Sequence, residues 1–376
     1  MTIILLTKRI AIVANTTWNI YNFRLNVIRK FLDEGYEVIV FSPIDKYIEY
    51  QTNFAEVTHV AINHLDRDGT NPLQDISLIV ELFKYYKHYR PDITIHYTIK
   101  PNIYGAIASK LSGIPSVGII TGLGYSFLHQ GLIRQVTKRL YKLACMYHHQ
   151  VIFENLEDRE LFIRKGLVSP EKSISIKGCG VNTSHFRPMS NGRYLQKTIF
   201  SFIGRLLYDK GLVEFVEAAN RVKAICPDAE FWIIGDIDDK NPAAIKKDDL
   251  IKWVKSDSVI YKGYASDVRE YIRHSDCIVL PSYREAIARS LTEAMSMEKP
   301  IITTDTAGCR EAVEEGKNGF LIPVKDSTAL RQAMIKFINC SPADRRAMGR
   351  YGRKKVLSEF DDQKIAQDIF DIVAKI

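Results

Sequence analysis

Short, wholly apolar runs alternate with segments of helical period along this chain, in two consecutive series. Arg9–Asn15 (R-I-A-I-V-A-N) reads as a strand buried on both faces, because no polar residue interrupts its interior. The polar turn Thr16–Trp18 follows. Phe23–Gly35 then places Leu25, Ile28, Phe31 and Leu32 at helical spacing before a glycine stop, and Tyr36–Phe41 is the next strand. A strand–helix–strand opening implies a right-handed crossover in a parallel sheet. The pattern continues through strand Val57–Ile62, helix Leu73–Tyr89, strand Ile93–His96, short helix Asn102–Leu111 and strand Ser116–Ile120.

After the polar stretch 189–196 the alternation restarts. Strands are expected at Ile199–Ile203, Glu230–Ile234, Val259–Tyr261, Cys277–Leu280, Pro300–Thr304 and Gly319–Pro323. Helices are expected at Gly211–Ala224, Ser266–His274, from near Ser290, at Ser327–Ile338 and at Pro342–Glu359. The class is therefore α/β, with two doubly wound, Rossmann-like domains facing across a cleft that holds the ligand. The expected domains are 1–185 and 186–358, with 359–376 a terminal helix packing back toward the first.

Composition narrows the function classes only loosely. With 46% apolar and 26% charged residues in 376, the chain is a globular protein and not a disordered one. A net charge of +8 favours an anionic partner but leaves nucleic acid, anionic lipid and phosphorylated substrate open. Six cysteines without a C-x-x-C pair argue against zinc and against a disulfide framework, and fit a reducing cytoplasm. Met1–Leu6 is too short for a signal-peptide core, and no apolar run approaches the roughly 20 residues of a membrane span. The expectation is a cytoplasmic protein able to sit on a membrane surface.

Pro281–Met297 (P-S-Y-R-E-A-I-A-R-S-L-T-E-A-M-S-M) carries the strongest chemical signal. A helix starting just beyond the carboxyl end of a parallel strand offers free N–H groups and a favourable dipole to an anion. Glu285 and Glu293 bracket the turn; eight helical residues span roughly 12 Å, comparable to the reach from a nucleotide ribose to its attached sugar. Carboxylates accept hydrogen bonds from hydroxyls, so the pair suits such a ligand, although each glutamate alone reads equally as a solvated side chain. Gly204-Arg-Leu-Leu-Tyr-Asp-Lys-Gly211, on the first turn of the second series, sets Arg205 and Lys210 beside another helix start, which suits a diphosphate. Alone, it reads equally as two surface cations.

Together these motifs resemble the retaining GT-B glycosyltransferases of family 4. Gly178-Cys-Gly-Val-Asn182 with Phe186-Arg-Pro188 is similar to the family's interdomain hinge. Gly235-Asp-Ile-Asp-Asp239 resembles the loop after the second strand of its nucleotide domain, and Thr303–Glu311 the segment after its donor helix. The resemblance implies a hexosyltransferase in which Arg205 and Lys210 neutralise the leaving diphosphate, Glu285 contacts the donor sugar and Glu293 holds the ribose. It places Gly204, Ala286, Ile287, Ala288, Leu291, Thr17, Thr121 and Gly122 around the donor. It implies retention by front-face attack, with the leaving phosphate as base, and neither metal nor cofactor. Asp236-Ile-Asp238 looks like a metal-binding D-x-D, but Arg and Lys already supply the positive charge.

The chain departs from the family where glycine and proline are usual after the first glutamate; Ala286 and Ala288 stand there. If position 286 requires positive φ, alanine costs roughly 1 kcal/mol, and an impaired or non-catalytic UDP-sugar binder becomes the alternative, beside a GT-B-like UDP-sugar epimerase. His96, Lys100, Arg134 and Lys138 are acceptor or phosphate candidates, with packing an equal reading for His96. Tyr125–Gln150 lacks acidic residues and reads either as an ordinary domain helix or as a basic helix lying on an anionic membrane. Y-T-I-K-P-N-I-Y and T-G-L-G-Y resemble segments of transferases that build capsule, O-antigen and related polysaccharides on undecaprenyl diphosphate. The expectation is transfer of an N-acetylhexosamine from a UDP-sugar to a polyprenyl-diphosphate-linked saccharide. This takes place at the inner face of the bacterial cytoplasmic membrane, with no nucleic-acid partner.

Overall fold

The computed structural model describes residues 7–67, 69, 71–123, 132–189, 197–239 and 241–376. The chain forms two compact units, one holding residues up to Cys179 together with Asp362–Ile376, the other Gly180–Asp361.

In the first unit the strands are β1 Arg9–Val13, β2 Glu37–Ser42, β3 Thr58–Ala61, β4 Ile93–Tyr97, β5 Ser116–Ile120, β6 Gln150–Phe153 and β7 Ser173–Ser175. They pair in parallel in the order β3-β2-β1-β4-β5-β6-β7. The uninterrupted apolar run of β1 follows from burial on both faces. Ile10 and Ile12 enter one cluster with Phe31, Ile365 and Ile369, while Ala11 and Val13 enter another with Leu78 and Leu82.

The terminal helix Asp362–Val373 belongs to this first unit. Ile365, Ala366, Ile369 and Val373 lie on its buried stripe, Phe370 meets Phe31 at 5.4 Å between ring centroids, and Asn26 donates to Asp362.

The second unit holds β8 Ile199–Ile203, β9 Glu230–Ile234, β10 Ile260–Gly263, β11 Cys277–Leu280, β12 Ile301–Thr304 and β13 Gly319–Ile322, all parallel, in the order β10-β9-β8-β11-β12-β13. Both sheets therefore reverse strand order once, beside β1 and β4 in the first and beside β8 and β11 in the second. In open α/β sheets, ligands bind at the carboxyl ends of strands at this reversal.

Two departures from expectation have identifiable causes. The helix expected over Phe23–Gly35 is Leu25–Asp33, and a further helix, Thr17–Phe23, begins where only a turn was expected at Thr16–Trp18. Arg24 breaks them apart because its side chain is drawn inward: it pairs with Glu154 at 3.3 Å, donates to Asn19 and lies 4.0 Å over the Tyr97 ring. The helix expected at Asn102–Leu111 starts as a π-turn, Pro101–Gly105, and continues as Ala106–Ser112. It follows Thr98 at φ 69°, a conformation rare for a β-branched residue, whose carbonyl accepts both the backbone and side-chain N–H of Asn102.

Below that turn, Tyr86 and His96 share a hydrogen bond of 2.9 Å, and His148 joins Ser116 (2.9 Å) to the Asn102 carbonyl (3.0 Å). Burial pushes the His148 imidazole down to about 4 and His96 well below its ordinary value, so the fold keeps both neutral. The unfolded chain takes up these protons first, so stability is complete above the ordinary histidine pKa of 6.5 and is lost as pH falls toward 4. Denaturant unfolding at about pH 7 and about pH 4.5 is expected to show this loss, and His148→Gln to reduce it by about 2–3 kcal/mol.

Candidate functional site

The reversal point of the second sheet joins two loops that the sequence separates. Gly204–Lys210 leaves β8, and Pro281–Ala288 leaves β11. Gly211 sits at φ 73°, and a Cβ there would collide with the Pro281 carbonyl. Only glycine meets both conditions. The Asp209 carbonyl then accepts from the Ser282 hydroxyl (3.2 Å) and the Tyr283 N–H (2.9 Å). This stitching brings Lys210 Nζ onto Glu285 Oε1 as an ion pair whose side chains are 19% and 12% exposed. Arg205, half exposed, pairs with Asp238 at 2.9 Å, so that carboxylate of the D-x-D faces a guanidinium. Among the described residues, no group of three or more His, Cys, Asp or Glu could hold a metal ion.

The Glu285–Ala288 turn resolves the question posed by Ala286. Ala286 lies outside the left-handed region, so its Cβ introduces no strain. The glycine requirement falls instead on Gly308, at φ 72°, whose absent Cβ leaves room for the Glu285 and Ala286 carbonyls. The Ala307 and Gly308 carbonyls accept from the Glu285 and Ala288 N–H groups at 3.1 and 3.3 Å. Sequence reasoning placed that segment after the donor helix without seeing that it forms the floor of the turn.

Ile287 is half-buried, Ala288 is buried, and the helix Arg289–Ser296 follows with Leu291 inside. Glu293 is 8% exposed and pairs with Arg289 at 2.7 Å, one helical turn back. Burial raises the pKa of the Glu293 carboxyl, and Arg289 acts against that rise. The far end of the helix is anchored by Arg353, whose Nη1 donates to the carbonyls of Thr183 (3.0 Å) and Ser296 (2.8 Å). No sequence signal pointed to Arg353.

The remaining candidates lie in the first unit. Thr17 is fully buried and its hydroxyl donates to the Pro43 carbonyl. Thr16 and Asp45 accept the neighbouring N–H groups of Asn19 and Trp18. His96 is also fully buried, in the hydrogen-bonded network described above, which is the packing role. Lys100 pairs with Asp75 at 2.9 Å, and Tyr104 donates to the same carboxylate. Thr121 is half-buried and Gly122 adopts φ 104°; Gly124 and the expected helix start at Tyr125 lie outside the described residues. Arg134 and Lys138 lie on the helix Leu132–Tyr147, where desolvation and the like charges of Arg134 and Lys165 hold Lys138 below its ordinary pKa.

Comparison with known proteins agrees with both halves. The family profile "Glycosyl transferase 4-like" matches residues 9–155, and "Glycosyl transferases group 1" matches residues 186–355. The chain is 30% identical over 340 residues to N,N'-diacetylbacillosaminyl-diphospho-undecaprenol alpha-1,3-N-acetylgalactosaminyltransferase of Campylobacter jejuni, covering 86% of this chain and 88% of that one. It is 27% identical to UDP-Gal:alpha-D-GlcNAc-diphosphoundecaprenol alpha-1,3-galactosyltransferase of Escherichia coli, covering 80% and 79%. Among solved structures, Anabaena HepE in complex with UDP superposes with a TM-score of 0.81 at 18% identity, covering 98% and 100%. Sucrose-phosphate synthase of Thermosynechococcus elongatus superposes at 0.80 with 17% identity, covering 98% of each chain. Both likenesses are of fold, that of GT-B.

The roles of the two positions 286 and 308 predict opposite responses. Gly308→Ala should destabilise the chain by about 2 kcal/mol or more, through left-handed strain and collision with the Glu285 and Ala286 carbonyls. Ala286→Gly should cost only about 0.5–1 kcal/mol, by loosening the unfolded chain, and should confer no gain in activity. Denaturant unfolding checks the first pair of values and a turnover assay the last.

Proposed function

Because the chain belongs to the glycosyltransferases, we propose that it transfers a hexosyl group, by first choice an N-acetylhexosamine, from a UDP-sugar to a polyprenyl-diphosphate-linked saccharide during surface-glycan synthesis. The observation that carries this reading is the loop pair at the β8/β11 reversal, where Lys210 meets Glu285 across the two loops while Arg205 pairs with Asp238 of the loop after β9. The printed names of the first two relatives specify undecaprenyl-diphosphate-linked acceptors, and the HepE structure holds UDP. The chain's net charge of +8 and the cations Arg134 and Lys138 suit a diphosphate-bearing acceptor in an anionic membrane. No helix among the described residues is long and apolar enough to cross a membrane. Contact is therefore peripheral in this reading, at the inner face of the cytoplasmic membrane.

The chemistry follows from where charge develops. The bond between the sugar's anomeric carbon and the β-phosphate oxygen breaks, and its electron pair passes to that oxygen. The acceptor hydroxyl oxygen bonds to the same face of the anomeric carbon, so configuration is retained, and its proton goes to the departing phosphate. The growing negative charge is thus on the diphosphate, where Lys210 and Arg205 are most effective, since interactions that strengthen in the transition state accelerate the step. In this reading these fixed cations take the electrostatic part a metal plays elsewhere. Glu285, released from Lys210 when phosphate takes the ammonium, accepts from the sugar hydroxyls, and Glu293 from the ribose.

A donor screen with a lipid-diphosphate-sugar acceptor tests the reading. Transfer is expected from a UDP-sugar, insensitive to EDTA, with the anomeric configuration conserved by NMR. Lys210→Ala should lower turnover by about 10²–10³-fold. No transfer from any UDP-sugar, together with no UDP binding by calorimetry, would overturn it.

A further inference from the structure

We propose that Asp238 is a built-in counter-anion for Arg205, displaced by the donor diphosphate, and that it thereby limits how tightly and how long UDP is held. This rests on the donor reading above and adds a residue to it. The sequence pattern Asp236-Ile-Asp238 suggested a metal pair. In the structure the Asp238 carboxylate lies 2.9 Å from Arg205 Nη1, and the Asp236 carboxylate accepts from the Ile237 N–H.

The pairing is a property of the scaffold. The loop after β9 is braced against the Arg205 loop along the length of both. Leu206 N–H donates to the Asp236 carbonyl (2.9 Å), Ile245 N–H to the Leu206 carbonyl (3.1 Å) and Tyr208 N–H to the Ala243 carbonyl (2.8 Å). Leu207 and Ala244 form an antiparallel bridge, and Tyr208 Oη donates to Asp249 at 2.6 Å. These backbone ties hold the loop that carries Asp238 beside the loop that carries Arg205, leaving the two side chains to pair across it. Lys210 has the same arrangement with Glu285, so each cation of the diphosphate site is already paired with a carboxylate from a different loop. Glu285 gains sugar hydroxyls as new donors once Lys210 turns to phosphate. Asp238 has no such role in the donor reading, and its charge remains beside the bound diphosphate.

An ion pair with a half-exposed arginine is weak in water and yields readily to a doubly charged phosphate group. The displaced carboxylate then repels the diphosphate, and as UDP leaves it reclaims the guanidinium. Asp238 is thus a positioning residue that acts through Arg205. It favours product release at the expense of affinity, which matters where release limits turnover.

The test measures binding of UDP and of inorganic pyrophosphate by calorimetry and stopped flow, using the full chain and its Asp238→Asn, Arg205→Ala and doubly substituted forms. Asp238→Asn is expected to bind UDP about three- to tenfold more tightly, mainly through slower dissociation, and to show a lower KM without a matching gain in kcat. In the Arg205→Ala background the same change should have no effect, because the competition runs through the guanidinium. Unchanged or weaker binding by Asp238→Asn would overturn the inference and leave Asp238 a loop brace. A gain that persists without Arg205 would overturn it in favour of general charge repulsion. If the unsubstituted protein binds neither UDP nor pyrophosphate, the donor reading fails and takes this inference with it.

Discussion

The approach of Gly211 to the Pro281 carbonyl is the contact on which the rest of the candidate site depends. The two loops it joins leave neighbouring strands, β8 and β11, but their facing residues Lys210 and Glu285 are 75 positions apart in sequence. Without a side chain at Gly211 the first loop closes against the second, and the Asp209 carbonyl can take hydrogen bonds from Ser282 and Tyr283. Any larger residue would push the loops apart and leave a lysine and a glutamate, each largely enclosed, without their partner. Gly308 supports the same arrangement from the opposite side, under the Glu285 and Ala286 carbonyls. The paired charges of the candidate site are therefore placed by residues that have no side chain.

Much of the fold was legible in the sequence because burial on both faces leaves a simple signature. Ser116–Ile120, Ile199–Ile203, Glu230–Ile234 and Cys277–Leu280 are strands over the expected bounds, since a run with few polar residues and turn residues at its ends has few alternatives. The helices Ser327–Ile338 and Pro342–Glu359 likewise have the expected bounds. What failed was anything decided by a distant partner. Nothing local to Phe23–Gly35 says that Arg24 will turn inward to Glu154, 130 positions away, at the junction with a preceding helix, Thr17–Phe23. β6, β7 and the helices Leu156–Arg164 and Lys247–Lys255 were not anticipated.

The candidate site offered its charges in sequence but not its geometry. Arg205, Lys210, Glu285 and Glu293 were chosen because their motifs together resemble those of GT-B transferases, each motif alone reading as surface charge. Their counterparts could not: the metal reading of Asp236-Ile-Asp238 was set aside without Arg205 being identified as the partner of Asp238, and the glycine missing at 286 was needed at 308. His96 and Thr17 show the converse limit, for a polar residue at a strand end looks the same in sequence whether it faces a ligand or fills the interior. Asn102, His148 and Ser116 fill such an interior with hydrogen bonds, and it is burial, acting against those bonds, that keeps the imidazole neutral.

The terminal helix has a consequence for how the chain is made. Asp362–Val373 fills part of the first unit's apolar cluster, beside strands that leave the ribosome long before it does. Everything from Gly180 to Asp361 must be translated before that helix exists, a delay on the order of ten seconds or more at ordinary elongation rates. During that interval Ile10, Ile12 and Phe31 lack part of their cover, whereas the second unit is synthesised as one uninterrupted stretch. The unit begun before the other is thus completed after it, and its apolar face stays partly open while the second unit is made.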